Sequence, residues 1–327
     1  MTNIPDLEFS IHQRNDGVFT IEGRFSALED ASEMRIGDKE PIEMNLDLLT
    51  LQENLSDMSA YGQILSQAFF VPAVRKLFLY AVAAVGSQRF RLRLLFGLTA
   101  SNLHSLHWET LTHPSDGTLL AADQNILFSR YLASDSWKPV RLQEKGKLRA
   151  LVAVAGPSDL SDYKLLPVDV TGEIERALRS LSKIETNYLP SDSVRCTLPA
   201  LMDELRKGYD ILYLVAHGTL VNGTPFIWLE NEDGKVKRVS GRDFAAQIGG
   251  LSVAPCLVIL ASCESAGKAN QDLKDSQPLD ALGPLLSEAG VPAVVAMQGK
   301  ISMSSVTRMM PIFFEELLID GAVDRAL

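Results

Sequence analysis

Two residues in the C-terminal part of the chain stand where reactive chemistry is easily arranged. His217 follows the apolar run YDILYLVA (209–216) and precedes Gly218, while Cys263 follows PCLVILAS (255–262) and opens Cys263-Glu264-Ser265-Ala266-Gly267. A thiol is mostly protonated at neutral pH, and a neighbouring imidazole can take its proton to make the thiolate that attacks a carbonyl. The oxyanion that results needs N–H donors, which backbone turns supply. Gly218 allows a close turn after His217 with its N–H accessible, and the small residues around Cys263 keep the sulfur approachable.

The 46 residues between the two (263 minus 217) matter only if the runs before them lie side by side. Each run is short and almost wholly apolar, as in a strand buried on both faces of a parallel sheet. KLRALVAVAG (147–156) and VPAVVAM (291–297) have the same character. Between these runs fall helical patterns: Ile174, Leu178, Leu181 and Ile184; a segment bracketed by Thr197, Pro199 and Gly208; Ser240 with Asp243, ending at Gly249; PLDALGPLLSEAG (278–290); and SMSSVTRMMPIFFEELLIDG (302–321), with a break expected at Pro311. FIWLENEDGKVKRVS (226–240) reads as a hairpin around Asp233-Gly234. Strands alternating with helices imply an α/β fold, a parallel sheet with helices on both faces. In such sheets reactive groups gather beyond the carboxyl ends of the strands, which is where His217 and Cys263 fall.

The earlier chain reads differently. LEFSIHQRNDGVFTIEGR (7–24) alternates apolar and polar residues around an Asp-Gly pair, the pattern of a β-hairpin, and the polar, acidic stretch to about Leu48 reads as a linker or excursion. Ile64, Leu65, Phe69 and Phe70 mark one helix; Pro72 starts another, carrying Val74, Leu77, Phe78, Ala81 and Val85 and stopping at Gly86. RFRLRLLFG (89–97) and QNILFSRYL (124–132) read as strands.

Plainer roles compete with the chemical ones. A free cysteine at a strand end is commonly a small core residue, the reading given to Cys196 and Cys256, and His217 could be a hydrogen-bonded core histidine. His104 and His107 have the i, i+3 spacing of metal ligands, with His113 following, but lack a Cys or acidic partner at matching spacing, so no metal is expected. Met303, Met309 and Met310 read as core filling. Gly218 and Gly223 make no phosphate-binding fingerprint, and no cofactor is expected.

Composition narrows the partners. The chain has 327 residues, 46% hydrophobic and 22% charged, which excludes disorder as its dominant state. Its net charge of -10 argues against a phosphate-backbone binder, so nucleic acid is not expected as a partner. Three cysteines cannot frame a chain of this size with disulfides, and MTNIPDLEFS has neither the basic nor the apolar region of a signal peptide. The longest apolar run, LFLYAVAAVG (77–86), falls short of the ~20 residues needed to span a bilayer. A cytoplasmic protein with no membrane partner is the expectation.

At LHWETL (106–111), LRALVAVAGPSDL (148–160), DILYLVAHG (210–218), LVILASCESAG (257–267), LGPLLSEAGVPAVVAMQGKIS (282–302) and FFEELLIDGAVDRAL (313–327) the sequence resembles the CHAT domains, caspase-like cysteine proteases of the caspase, separase and gingipain clan. The likeness covers about residues 60–327 in order, with AHG and ASCESAG its most specific elements. It implies a three-layer α/β/α sandwich with a mostly parallel central sheet, preceded by an N-terminal β-hairpin and linker segment at 1–59. It implies a Cys-His dyad endopeptidase with His217 as general base, Cys263 as nucleophile, and the N–H groups of Gly218 and Cys263 as the oxyanion hole. No third member of the dyad is evident.

Ala261, Ser262 and Glu264 would contribute to the substrate pocket, and KANQDLKDSQ (268–277) would order on activation or substrate binding. Relatives that prefer a basic side chain before the cleaved bond carry an acid two positions before the cysteine. This chain has Ala261 there, so a small or apolar side chain is expected instead. The chain stops at GAVDRAL, where such domains continue through a helix and a closing strand, so the domain is expected to be C-terminally incomplete. The resemblance further implies a protein substrate, a regulatory or sensor module in the same or a partner chain, and an effector role in bacterial signalling or antiphage defence. The alternative is a catalytically silent scaffold that binds partner proteins.

Overall fold

The Asp16-Gly17 pair makes the turn its chemistry dictates: Gly17 takes φ 86°, and the Gly17 N–H donates to the Arg14 carbonyl at 2.9 Å. On either side run β1 (Asp6–Gln13) and β2 (Phe19–Ser26), antiparallel from Asp6 opposite Ser26 to Gln13 opposite Phe19. The computed structural model describes residues 4–27, 33–132, 144–191, 193–221, 224–261, 282–296 and 303–327, and divides into two compact units, Met1–Ala133 and Ser134–Leu327.

In the first unit the hairpin is built into a larger sheet. β3 (Met34–Ile36) and β4 (Ile42–Met44) both pair with β2, so two short pieces of the stretch expected to be a linker supply backbone partners to an otherwise open edge. Then come α1 (Leu48–Glu53), α2 (Met58–Phe69) and α3 (Pro72–Val85). Asp57 caps α2 by accepting from the Ser59 and Ala60 N–H groups; Pro72 opens α3, and Gly86 ends it at φ 59°. β5 (Phe90–Phe96) pairs in parallel with β1 and with β6 (Ile126–Leu132). Alternation puts Leu7, Phe9, Ile11, Ile21, Leu92, Leu94 and Phe96 in one core with Leu65, Phe69, Leu77 and Phe78 of the helices. The strands before residue 59 therefore share a sheet with strands after it.

The second unit carries the expected α/β pattern. Its elements are β7 (Arg149–Val154), α4 (Val170–Ser180), β8 (Glu185–Leu189), α5 (Leu198–Leu205), β9 (Ile211–Val215), β10 (His217–Val221), β11 (Thr224–Glu230), β12 (Val236–Ser240), α6 (Gly241–Gly249), β13 (Leu257–Ala261), α7 (Leu282–Glu288), β14 (Ala293–Ala296), α8 (Met303–Asp320) and α9 (Val323–Ala326). Five strands form a parallel sheet in the order β14-β13-β9-β7-β8. Its two faces are both apolar. Ala150, Val152, Val154, Ile211, Tyr213 and Ile259 pack with Ala177 of α4 and with Met310, Phe313 and Phe314 of α8. Leu151, Leu212, Leu214, Val258 and Leu260 pack with Leu201, Phe244, Ile248 and Leu286 of α5, α6 and α7. The result is a three-layer α/β/α sandwich, which is why these strands read as unbroken apolar runs. A separate antiparallel sheet, β10-β11-β12, turns at Gly234 with φ 75°.

Several expectations need correction. α8 runs through Pro311 without breaking, because buried Met310, Phe313, Phe314 and Leu317 anchor it to the sheet on both sides of the proline. Met310 is core, but Met309 is 37% exposed. β8 (ETNYL) is a largely exposed edge strand whose polar sequence lacked an apolar signature. Residues 278–281, the start of the expected 278–290 helix, lie outside the described residues. Among the described residues no single helix is long and apolar enough to cross a membrane, although α2 and α3, bent by 99°, pass that test together.

Candidate active site

β9 and β13 are neighbours, parallel and in register, with Val215 opposite Ala261 at their carboxyl ends. Beyond Val215 the chain passes through Ala216 directly into β10, whose first residue is His217. β10 pairs with β11, placing His217 opposite Trp228 and Gly218 opposite Ile227. Gly218 is thus a residue of an extended strand rather than of the close turn expected after His217, since pairing with β11 requires extended backbone.

His217 is only 4% exposed. Its Nε2 lies 3.1 Å from the carbonyl oxygen of Leu166, in the segment between β7 and α4. A carbonyl can only accept, so Nε2 carries the proton and Nδ1 keeps the lone pair. Burial lowers the pKa of the imidazole below 6.5, with the Leu166 carbonyl pulling weakly the other way. Burial thus favours the neutral ring over the imidazolium, with one nitrogen held and the other open to a proton. Leu166 is the partner that sequence reasoning missed: its contribution is a backbone oxygen, which leaves no residue-type signal.

Ala261 closes β13 and is buried in the cluster shared with α4 and α8. Cys263, Ser262, Glu264 and the 268–277 loop lie outside the described residues. The other two thiols are poor nucleophiles. Burial pushes the pKa of Cys196 up, with the Glu230 carboxylate adding to it, and burial followed by Asp210 raises that of Cys256. Cys196 is core, and Cys256 is half-buried.

The three histidines considered as metal ligands pack separately in the first unit: the His104 ring against Phe96, His107 against Tyr61 and His113 against Phe78. No group of three or more His, Cys, Asp or Glu side chains suited to a metal occurs among the described residues. In LHWETL, Trp108 is fully buried, stacks at angles on Phe69 and Phe96, and donates Nε1–H to the Leu103 carbonyl at 2.8 Å. The next residue, Glu109, pairs with Arg130 at 2.9 Å. This motif is architecture within the first unit.

Compared with known families, residues 59–327 match the CHAT domain. The chain belongs to the CHAT domain family. A three-layer α/β sandwich agrees with the caspase-like fold of that protease-related family. The CHAT match starts inside the first unit, after β1 to β4, and continues through the second. None of the curated proteins compared with the chain matches it.

Proposed function

We propose that this CHAT domain is a cysteine endopeptidase in which His217 activates Cys263. The observation that carries the reading is the His217–Leu166 hydrogen bond, which leaves an imidazole with its Nδ1 lone pair available, just beyond β9, the strand beside the one that leads to Cys263. His217 and Cys263 each stand two residues beyond a directly paired couple, Val215 and Ala261.

In the proposed reaction Nδ1 takes the Cys263 proton as sulfur attacks the scissile carbonyl. The N–H groups of Gly218 and Cys263 hold the oxyanion. The tetrahedral adduct collapses, the imidazolium gives its proton to the departing amine, and a thioester remains. Water then attacks the thioester, losing a proton to Nδ1, and the proton returns to sulfur as the acid leaves. Ala261, Ser262 and Glu264 belong to the pocket for the substrate side chain, small or apolar because position 261 offers no carboxylate. The substrate is a protein, a sensor or regulatory module controls the enzyme, the 268–277 loop orders on activation, and the setting is the reducing cytoplasm of a bacterium defending or signalling.

A peptide acyloxymethyl ketone tests this directly. The full chain should be labelled at Cys263, with labelling lost in Cys263→Ala and in His217→Ala. No labelling in the presence of an activating partner would leave a silent scaffold.

A further inference from the structure

The segment between β7 and α4 is tied at several points to the sheet that carries His217, and its Leu166 carbonyl meets the His217 ring. Gly156 N–H donates to Glu230 Oε1 at 3.1 Å, and Glu230 is a buried carboxylate at the end of β11. A Cβ at Gly156 would lie 2.3 Å from a methyl of Val170, so a side chain there would have to displace Val170 at the start of α4. The Ser158 N–H and hydroxyl both donate to the Gly234 carbonyl, at 2.9 and 3.0 Å. Asp159 Oδ1 accepts from the Val236 N–H at 2.7 Å. The start of the segment is thereby tied to the β11–β12 hairpin.

A single turn of 3-10 helix follows at Leu160–Tyr163, closed by Lys164 N–H to Ser161 O at 3.0 Å and Leu165 N–H to Leu160 O at 3.1 Å. Lys164 adopts φ 60°, a left-handed conformation unusual for a residue with a side chain, and reverses the chain just before Leu166. The Tyr163 ring stands edge-on to Trp228, with centroids 4.9 Å apart. Trp228 is 7% exposed and is the direct cross-strand partner of His217, so both side chains lie on the same face of the β10–β11 ladder. The donor and the acceptor of the His217–Leu166 bond are thus both referred to one three-stranded sheet, β10-β11-β12: the histidine by strand pairing, the carbonyl through the segment pinned at Gly156, Ser158, Asp159 and Tyr163.

We propose that residues 156–169 form a positioning clamp for His217, in which Asp159 and Tyr163 hold the Leu166 carbonyl against Nε2. Among the described residues neither side chain hydrogen-bonds to His217. Their role is to fix which ring nitrogen carries the proton and which way the ring faces. The inference deepens the peptidase reading but stands on contacts of the described residues, so it is tested by a property of His217 that exists whether or not the protein cuts.

The experiment is long-range ¹H–¹⁵N correlation NMR of the uniformly labelled full chain at neutral pH, with His217 assigned by its loss in His217→Gln. The wild type should show the Nε2–H tautomer. Asp159→Ala and Tyr163→Ala should each bring in the Nδ1–H form, while Asp159→Asn, which keeps the acceptor oxygen, and Tyr163→Phe, which keeps the ring, should retain the wild-type pattern. Circular dichroism identifies a variant that fails to fold, and Tyr163→Leu then replaces it. Folded Asp159→Ala and Tyr163→Ala or Tyr163→Leu variants with an unchanged tautomer would overturn the clamp. With a cleavable peptide, the disrupted variants should lose about ten-fold in kcat at similar KM. A wild type with the expected tautomer but no reaction with the ketone probe would defeat the peptidase reading and leave the clamp standing.

Discussion

His217 Nε2 donates to the carbonyl oxygen of Leu166, 51 residues earlier in the chain, across 3.1 Å. That bond selects the tautomer whose Nδ1 accepts a proton, and burial keeps the ring neutral by lowering its pKa below 6.5. The sign follows from the charge. Burial penalises imidazolium, so protonation of the free enzyme's base needs more acid than an exposed histidine would. The acid limb of the second-order rate with the ketone probe should accordingly have its midpoint below 6.5. A midpoint above that value would show that the imidazolium is favoured at the site.

Replacing either proposed dyad member should act on chemistry rather than on folding. His217→Ala removes the base and should slow substrate turnover by about 10²- to 10⁴-fold, and Cys263→Ala should remove covalent labelling altogether. Cys256→Ala provides the contrast, because its thiol pKa is raised by burial and Asp210. Mass spectrometry of the labelled chain separates these outcomes, and adduct on Cys256 instead of Cys263 would transfer the nucleophile.

Legibility in the sequence tracked burial and chain distance. The apolar runs ending at Ala155, Ala216 and Ala261 were readable as central strands because both faces of the sheet are covered. β8 was not readable, because an edge strand of sequence ETNYL has little core to fill. β3 and β4 are three residues each, too short for a periodic signal, and form by completing the edge of β2. Pro311 by itself signals a break, but the buried side chains before and after it hold α8 continuous against the sheet, a tertiary effect with no local signature. For the site, His217 stood out by following a buried strand, whereas the carbonyl that orients it could be found only once the chain was folded.

Trp108 gives a stability test independent of catalysis. It is fully buried between Phe69 and Phe96, and its indole N–H is satisfied by the Leu103 carbonyl. Truncation to alanine removes a large apolar surface and one of the two donors of that carbonyl, the Leu106 N–H remaining. Trp108→Ala should cost about 3 to 5 kcal/mol in urea unfolding of the transition assigned to the first unit. A loss below about 1 kcal/mol would mean the surroundings collapse onto the site.

His104 should make the first unit sensitive to acid. Its Nε2 is buried with no hydrogen-bond partner among the described residues, its ring packs on Phe96 at 4.7 Å, and its pKa is lowered to about 4 by burial and then by the charge of Arg130. The unfolded chain binds this proton near the ordinary value of 6.5, so between 6.5 and about 4 the unfolded state holds more protons than the folded one. Stability is therefore undiminished above 6.5, falls as pH drops through that window, and has lost at most about 3 kcal/mol from this group below it. His104→Phe removes both the titration and the unpartnered nitrogen. The variant should match or exceed wild-type stability at pH 7 and show a shallower decline in urea midpoint between pH 6.5 and 4.5. Equal slopes in the two proteins would assign the acid sensitivity to other groups.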